Sequence, residues 1–247
     1  MEKLKTKGDI MKLILLLMFF SQIANGEIKE FEMVKGKLNI ENKSGVVHIF
    51  GEPIEKIKIE YTKIHWNNQC VLDIENENDE VIVKVKKAST WSFGSNDCKV
   101  DFNIKTPLHT EVSLVSGSGN VSVNSTIGDI DFKVGSGNVS IQKVLQSNIS
   151  GKAGSGNIGI NGDLKNVDLK VGSGKISAEF DDIKSQSECN IKSGSGDVTI
   201  SLPKKNSVSV NYKSGSGRLT NNFKTVDSPD LKLNVKSGSG NLTIVEI

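Results

Sequence analysis

An all-β fold, a parallel β-helix or β-solenoid of about 18–23 residues per coil, is what this sequence predicts, and three observations predict it. Gly-Ser-Gly recurs seven times, at 117–119, 135–137, 154–156, 172–174, 194–196, 215–217 and 238–240. The successive spacings are 18, 19, 18, 22, 21 and 23 residues. Around every triplet, apolar and polar residues alternate with the period of 2 that belongs to a strand. A repeat near 20 residues means stacked supersecondary units, each unable to bury its apolar face alone.

The chain has 247 residues, with hydrophobic residues at 36% and charged residues at 24%. That balance excludes a disordered polyelectrolyte and a membrane bundle. Residues 1–26 read as a signal peptide. Lys3, Lys5, Lys7 and Lys12 precede the apolar run Leu13–Phe20, and the small residues Ala24 and Gly26 close it before Glu27. The run is about half the ~20 residues that a spanning helix needs. Met11 opens a complete signal by itself, so the start lies at Met1 or Met11. Export to the periplasm, the cell surface or the medium is the expectation, with no membrane span in the mature chain.

Residues 27–247 are expected to form one domain. In 27–110 the strand-like runs Leu38–Ile40, Val47–Ile49, Ile57–Tyr61 and Val81–Val85 are irregularly spaced. They predict atypical or capping coils, and Lys43-Ser-Gly45 looks like a degenerate first corner. Cys70 and Cys98 each follow a Trp (Trp66, Trp91) and are a candidate disulfide, which export permits.

Residues 111–247 are the regular coils. Five positions before each triplet stand Val112, Ile130, Ile149, Val167, Cys189, Val210 and Leu233. Four positions after its first Gly stand Val121, Val139, Ile158, Ile176, Val198, Leu219 and Leu242. Each unit is therefore strand, corner, strand and a variable return. The corner glycines are Gly117, Gly119, Gly135, Gly137, Gly154, Gly156, Gly172, Gly174, Gly194, Gly196, Gly215, Gly217, Gly238 and Gly240. They hold 14 of the chain's 24 glycines and take bends that a Cβ resists. Cys189 falls in an apolar row and reads as buried core. The last strand leads directly to Ile247, so the last coil is expected to be the open end, and self-association is expected there, around Leu242 and Ile244.

The irregular early strands, then Val100–Pro107 leading into Glu111-Val-Ser-Leu-Val-Ser-Gly-Ser-Gly-Asn-Val-Ser-Val123, resemble the bacterial β-strand repeat family of the DUF4097 type, whose members carry an adhesin label. The resemblance covers about residues 36–247. It implies a β-helix and a surface or periplasmic place, and it supplies no catalytic residues. Arg218 and Asn221 depart from the repeated pattern.

The first 26 residues hold four Lys, one Asp and one Glu of the 31 basic and 29 acidic residues, which leaves 27 of each. A formally neutral mature chain with Arg218 as its only Arg argues against nucleic acid. One outward row stands apart. Two positions before the triplets come Val115, Lys133, Lys152, Lys170, Lys192, Lys213 and Lys236. Two readings of it stand open. It is a stripe that binds an acidic glycan or another linear polyanion, or it is a solvated row that opposes sheet association.

Calcium is disfavoured because only Asp197 among the residues after the triplets is acidic. Asp181-Asp182 is the only adjacent acidic pair in the regular coils, and His48, His65 and His109 show no metal spacing. No enzyme activity, cofactor or metal is expected. The function expected is an adhesin-like binding or structural protein of the cell envelope. The alternative is a non-adhesive scaffold or stress-response component that holds a protein partner at the open end.

Overall fold

The computed structural model describes residues 26–88, 98–183 and 186–247. The expected signal segment up to residue 25, and Trp91, lie outside the described residues. The strands in chain order are β1 (Glu27–Glu32), β2 (Gly36–Ser44), β3 (Val47–Glu52), β4 (Lys56–His65), β5 (Cys70–Glu77), β6 (Glu80–Lys87) and β7 (Lys99–Pro107). There follow β8 (Thr110–Ser118), β9 (Val121–Asn124), β10 (Ile130–Ser136), β11 (Val139–Ser155), β12 (Ile158–Ser173) and β13 (Ile176–Asp182). The last are β14 (Ser187–Ser195), β15 (Val198–Leu202), β16 (Val208–Ser216), β17 (Leu219–Asn221), β18 (Leu231–Ser239) and β19 (Leu242–Glu246). No helix occurs among the described residues.

The strands stack as coils in two ladders that meet at the corners. The first runs β5–β6–β2–β8–β10, then the second half of β11 and of β12, then β14–β18–β16. The other runs β1–β4–β7–β3–β9, then the first half of β11 and of β12, then β13–β15–β19–β17. Pairing from β3 and β2 onward is parallel, whereas β1–β4, β4–β7 and β5–β6 are antiparallel. The result is a solenoid-like stack with an antiparallel cap over its first coil. Lys43-Ser-Gly45 is that coil's corner, with Gly45 at φ +114°.

The alternation seen in the sequence separates core from surface. Leu38, Val112, Ile130, Ile149, Val167, Cys189 and Leu233 are buried to within 2%. Each contributes on the order of 1.5–3 kcal/mol of transfer free energy. Gly151 interrupts one inward row because the Phe132 ring of the neighbouring coil fills the space its side chain would need. Cys189 is fully buried, and burial pushes its thiol up to about 12, so it is core and not a nucleophile.

One expectation is overturned. The last coil, β18–β19, is not at the open end. It lies between the coil β14–β15 and the coil β16–β17. Leu242 and Ile244 are fully buried, and the exposed edge belongs to β16 and β17, where Leu219 is 44% exposed. Burial accounts for the order. The inward positions of the last coil are Leu231, Leu233, Val235, Leu242 and Ile244. The coil at the end carries Tyr212 and Asn221 at such positions, and Arg218 beside them. Placing the more apolar coil inside removes more apolar surface from water.

Candidate functional site

The corner sets the geometry of the surface beside it. At the second glycine of each triplet but one, the backbone is left-handed, as at Gly119 with φ +123°. At the first glycine, the next coil's backbone is the obstacle. A Cβ on Gly117 would lie 2.5 Å from the Lys43 carbonyl oxygen. The first glycine stands at an outward position of its strand, so the surface there has no side chains. The glycines stack coil on coil and make a trench.

The lysine row forms one wall of that trench. Cα partners run Lys133–Lys152, Lys152–Lys170, Lys170–Lys192, Lys192–Lys236 and Lys236–Lys213. All six expected lysines are thus brought into one exposed ladder, with the last two in the reverse of their sequence order. Adjacent strands lie about 4.8 Å apart, so the six span roughly 24 Å. At its other end the row passes through Val115 to Glu41, which changes its sign. A groove of about 710 Å³ runs along it. Lys133, Lys152, Lys170 and Lys192 flank it, with Gly135, Gly154, Gly172 and Gly194 beside them and Val134, Ala153, Val171 and Ser193 as its floor.

Charge and hydrogen bonding in the groove are unbalanced. Among the described residues, only Lys170 of the six has a carboxylate within 4 Å, at 3.7 Å from Asp168. Ser116 and Ser193 stand at inward positions beneath the groove, and their buried hydroxyls have no hydrogen-bond partner in the protein. An unpaired buried hydroxyl costs about 1–3 kcal/mol. The serines and the floor were not singled out in the sequence. Their signal there is the position between the Lys and the first Gly of each unit, where a small residue must fit under the corner.

The opposite ladder presents amides and hydroxyls. Where an Asn follows a triplet, it accepts the backbone N–H of the equivalent residue in the next coil, as Asn120 does from Asn138 at 3.0 Å and Asn138 from Asn157 at 2.9 Å. Asp197 takes part in the same ladder, accepting the N–H of Asn241 at 2.9 Å. Asp181 accepts from Asn161 and Asp182 from Lys205, so the acidic pair is engaged in surface contacts. No group of three or more His, Cys, Asp or Glu that could hold a metal occurs among the described residues. No described helix is long and apolar enough to cross a membrane. Cys70 and Cys98 are bonded, with Cα atoms 5.5 Å apart.

No curated protein matches the chain. Among solved structures, a "putative adhesin" from Bacteroides fragilis matches with 13% identity and a TM-score of 0.50, over 90% of this chain and 97% of that one. A "putative cell adhesion protein" from Clostridium sporogenes matches at 20% identity and a TM-score of 0.35, over 90% and 99%. A "putative adhesin" from Parabacteroides distasonis matches at 10% and 0.35, over 91% and 98%. The Bacteroides structure shares the fold. A family model described as Toastrack DUF4097 matches residues 35–246, which is nearly the whole described chain, and the chain belongs to that family.

Proposed function

We propose that this chain is an exported, adhesin-like binding protein of the cell envelope, and that its lysine groove holds a linear polyanion such as an acidic glycan. Its regular coils are read as a parallel β-helix, which repeats one binding position per coil. The observation that carries the reading is six lysines in register beside a side-chain-free trench. Two unit charges about 4.8 Å apart repel by roughly 1 kcal/mol even in water. A polymer of negative charge laid along the ladder replaces that repulsion with attraction. The function is binding rather than catalysis.

The test uses the mature chain beginning at Glu27, the terminus expected of the exported protein and read by N-terminal sequencing. Binding to heparin and to lipopolysaccharide is measured at low and moderate salt. The fourfold variant Lys133→Gln, Lys152→Gln, Lys170→Gln, Lys192→Gln is expected to bind at least tenfold more weakly, and parent binding is expected to fade with salt. Equal binding by the variant would sink the groove as a site.

A second reading is a scaffold that holds a protein partner. It is favoured by the outer edge of β16 and β17, which among the described residues meets no further strand and only a single bridge from Thr225 to Val208, and by exposed Leu219 there. Strand addition to such an edge is a common mode of peptide recognition.

A further inference from the structure

Between β15 and β16 the chain steps over one coil position, through Pro203–Ser207, and leaves a slot that β18–β19 later fills. The two walls of the slot carry the same register. Leu233 pairs with Cys189 on one side and Val210 on the other, and Ser239 pairs with Ser195 and Ser216. The inserted coil has no other strand partners: β18 pairs with β14 and β16, and β19 with β15 and β17. One connection, residues 222–230, joins it to the rest of the chain. Most of that connection is exposed. It touches its neighbours through a bridge between Thr225 and Val208, with Val226 N–H donating to the Val208 carbonyl at 3.3 Å, and through Asn222 N–H donating to the Ile244 carbonyl at 3.3 Å, and it is pinned where it enters the slot. There the Asp230 carboxylate accepts the N–H and the hydroxyl of Ser207, at 2.8 and 3.0 Å, and Ser187 N–H donates to the Asp230 carbonyl at 3.0 Å.

We propose that β18–β19 is an exchangeable coil, and that two copies of this chain form a dimer by each placing it in the slot of the other. The contacts inside the slot are the same whether the coil arrives from its own chain or from a second copy. Only the path of residues 222–230 differs, and nine residues reach up to about 30 Å when extended. Exchange of an identical element is therefore a low-cost route to a closed dimer. It is distinct from edge-to-edge packing through β16, because it places no second copy against that edge. The inference does not depend on what the lysine groove binds.

The experiment uses the full mature chain with Lys192→Cys and Lys236→Cys, whose Cα atoms are register partners across the slot. Adjacent strands lie within the range that a disulfide bridges. The protein is refolded at low and at high concentration, oxidised, and run without reductant. Exchange predicts a bridge within the chain at low concentration and a covalent dimer at high concentration. Removing residues 224–226 should raise the dimer fraction severalfold, because a short connection favours the second copy. Should the cysteine variant fail to fold, the unmodified chain is refolded as a mixture of donor- and acceptor-labelled molecules and sized by light scattering. Energy transfer within a dimer that persists in Leu219→Asp supports exchange. A monomer at every concentration, or a dimer whose 192–236 bridge stays within one chain or that Leu219→Asp abolishes, overturns it.

Discussion

Two glycines with different surroundings show what the corner requires. Gly137 holds φ +134°, and a Cβ on it would run into the Gly119 carbonyl of the neighbouring coil. Gly137→Ala is expected to cost about 2–4 kcal/mol, from left-handed strain plus the displaced backbone. Gly159 has nothing within 4 Å of the position a Cβ would take, and its row otherwise carries Ser or Thr. Gly159→Ser should stay within about 0.5 kcal/mol of the parent. Urea unfolding of both variants checks the pair. At Asp230, hydrogen bonds from the Ser207 backbone and hydroxyl hold the carboxyl below its usual value of 3.8. Its contribution is therefore complete above about pH 4 and is lost as pH falls through the lower folded-state value. Asp230→Asn is expected to cost about 1 kcal/mol at pH 7. Urea unfolding at pH 7 and near pH 2 measures both, and the difference from the parent should shrink in acid.

Among the elements, the cap depends most on one covalent tie. Cys70 opens β5 and Cys98 stands directly before β7, 28 residues on. The bond joins the β5–β6 hairpin to the strand that lies over the first coil. On the chain-entropy account, a loop of that length stabilises by about 3–4 kcal/mol. Cys70→Ser with Cys98→Ser should lower the unfolding free energy by that amount relative to the oxidised parent, read by chemical denaturation, and the reduced parent should match the variant. The elements were unevenly legible in the sequence. The regular strands could be read from period 2 and the triplets, because each inward position is filled from the same type of row. The pairing of β2 and β3 with β8 and β9 could not, since the chain makes β4 to β7 before it returns. Nor could the reason for Gly151, which lies in Phe132 one coil away.

For the whole molecule, the ladder of like charge is the main electrostatic feature. Because the lysines repel one another most at low salt, the fourfold Gln variant should be more stable than the parent in dilute buffer. The gain is expected to be on the order of 1 kcal/mol, and to vanish near 1 M salt, where the Debye length is about 3 Å. Thermal unfolding at the two salt concentrations checks this. A variant that is stable in dilute buffer and binds polyanion more weakly would separate the binding proposed for the groove from folding.

The candidate site divides along the same line. The lysine row could be read because the glycine period aligns it, so that the even balance of charge over residues 27–247 no longer conceals a basic stripe. The trench, its floor and the unpartnered hydroxyls could not be read, since they arise from neighbouring coils. By itself, then, the sequence determined the strands, the corners, the rows that face inward and the lysines that face out. These follow from local periodicity and from what a Cβ permits. Only the tertiary structure decided which coil lies beside which. The units share one register and are nearly interchangeable as neighbours, so their order is set by burial. The more apolar coil, β18–β19, is buried inside the stack, and the coil with Tyr212, Arg218 and Asn221 is left at the end.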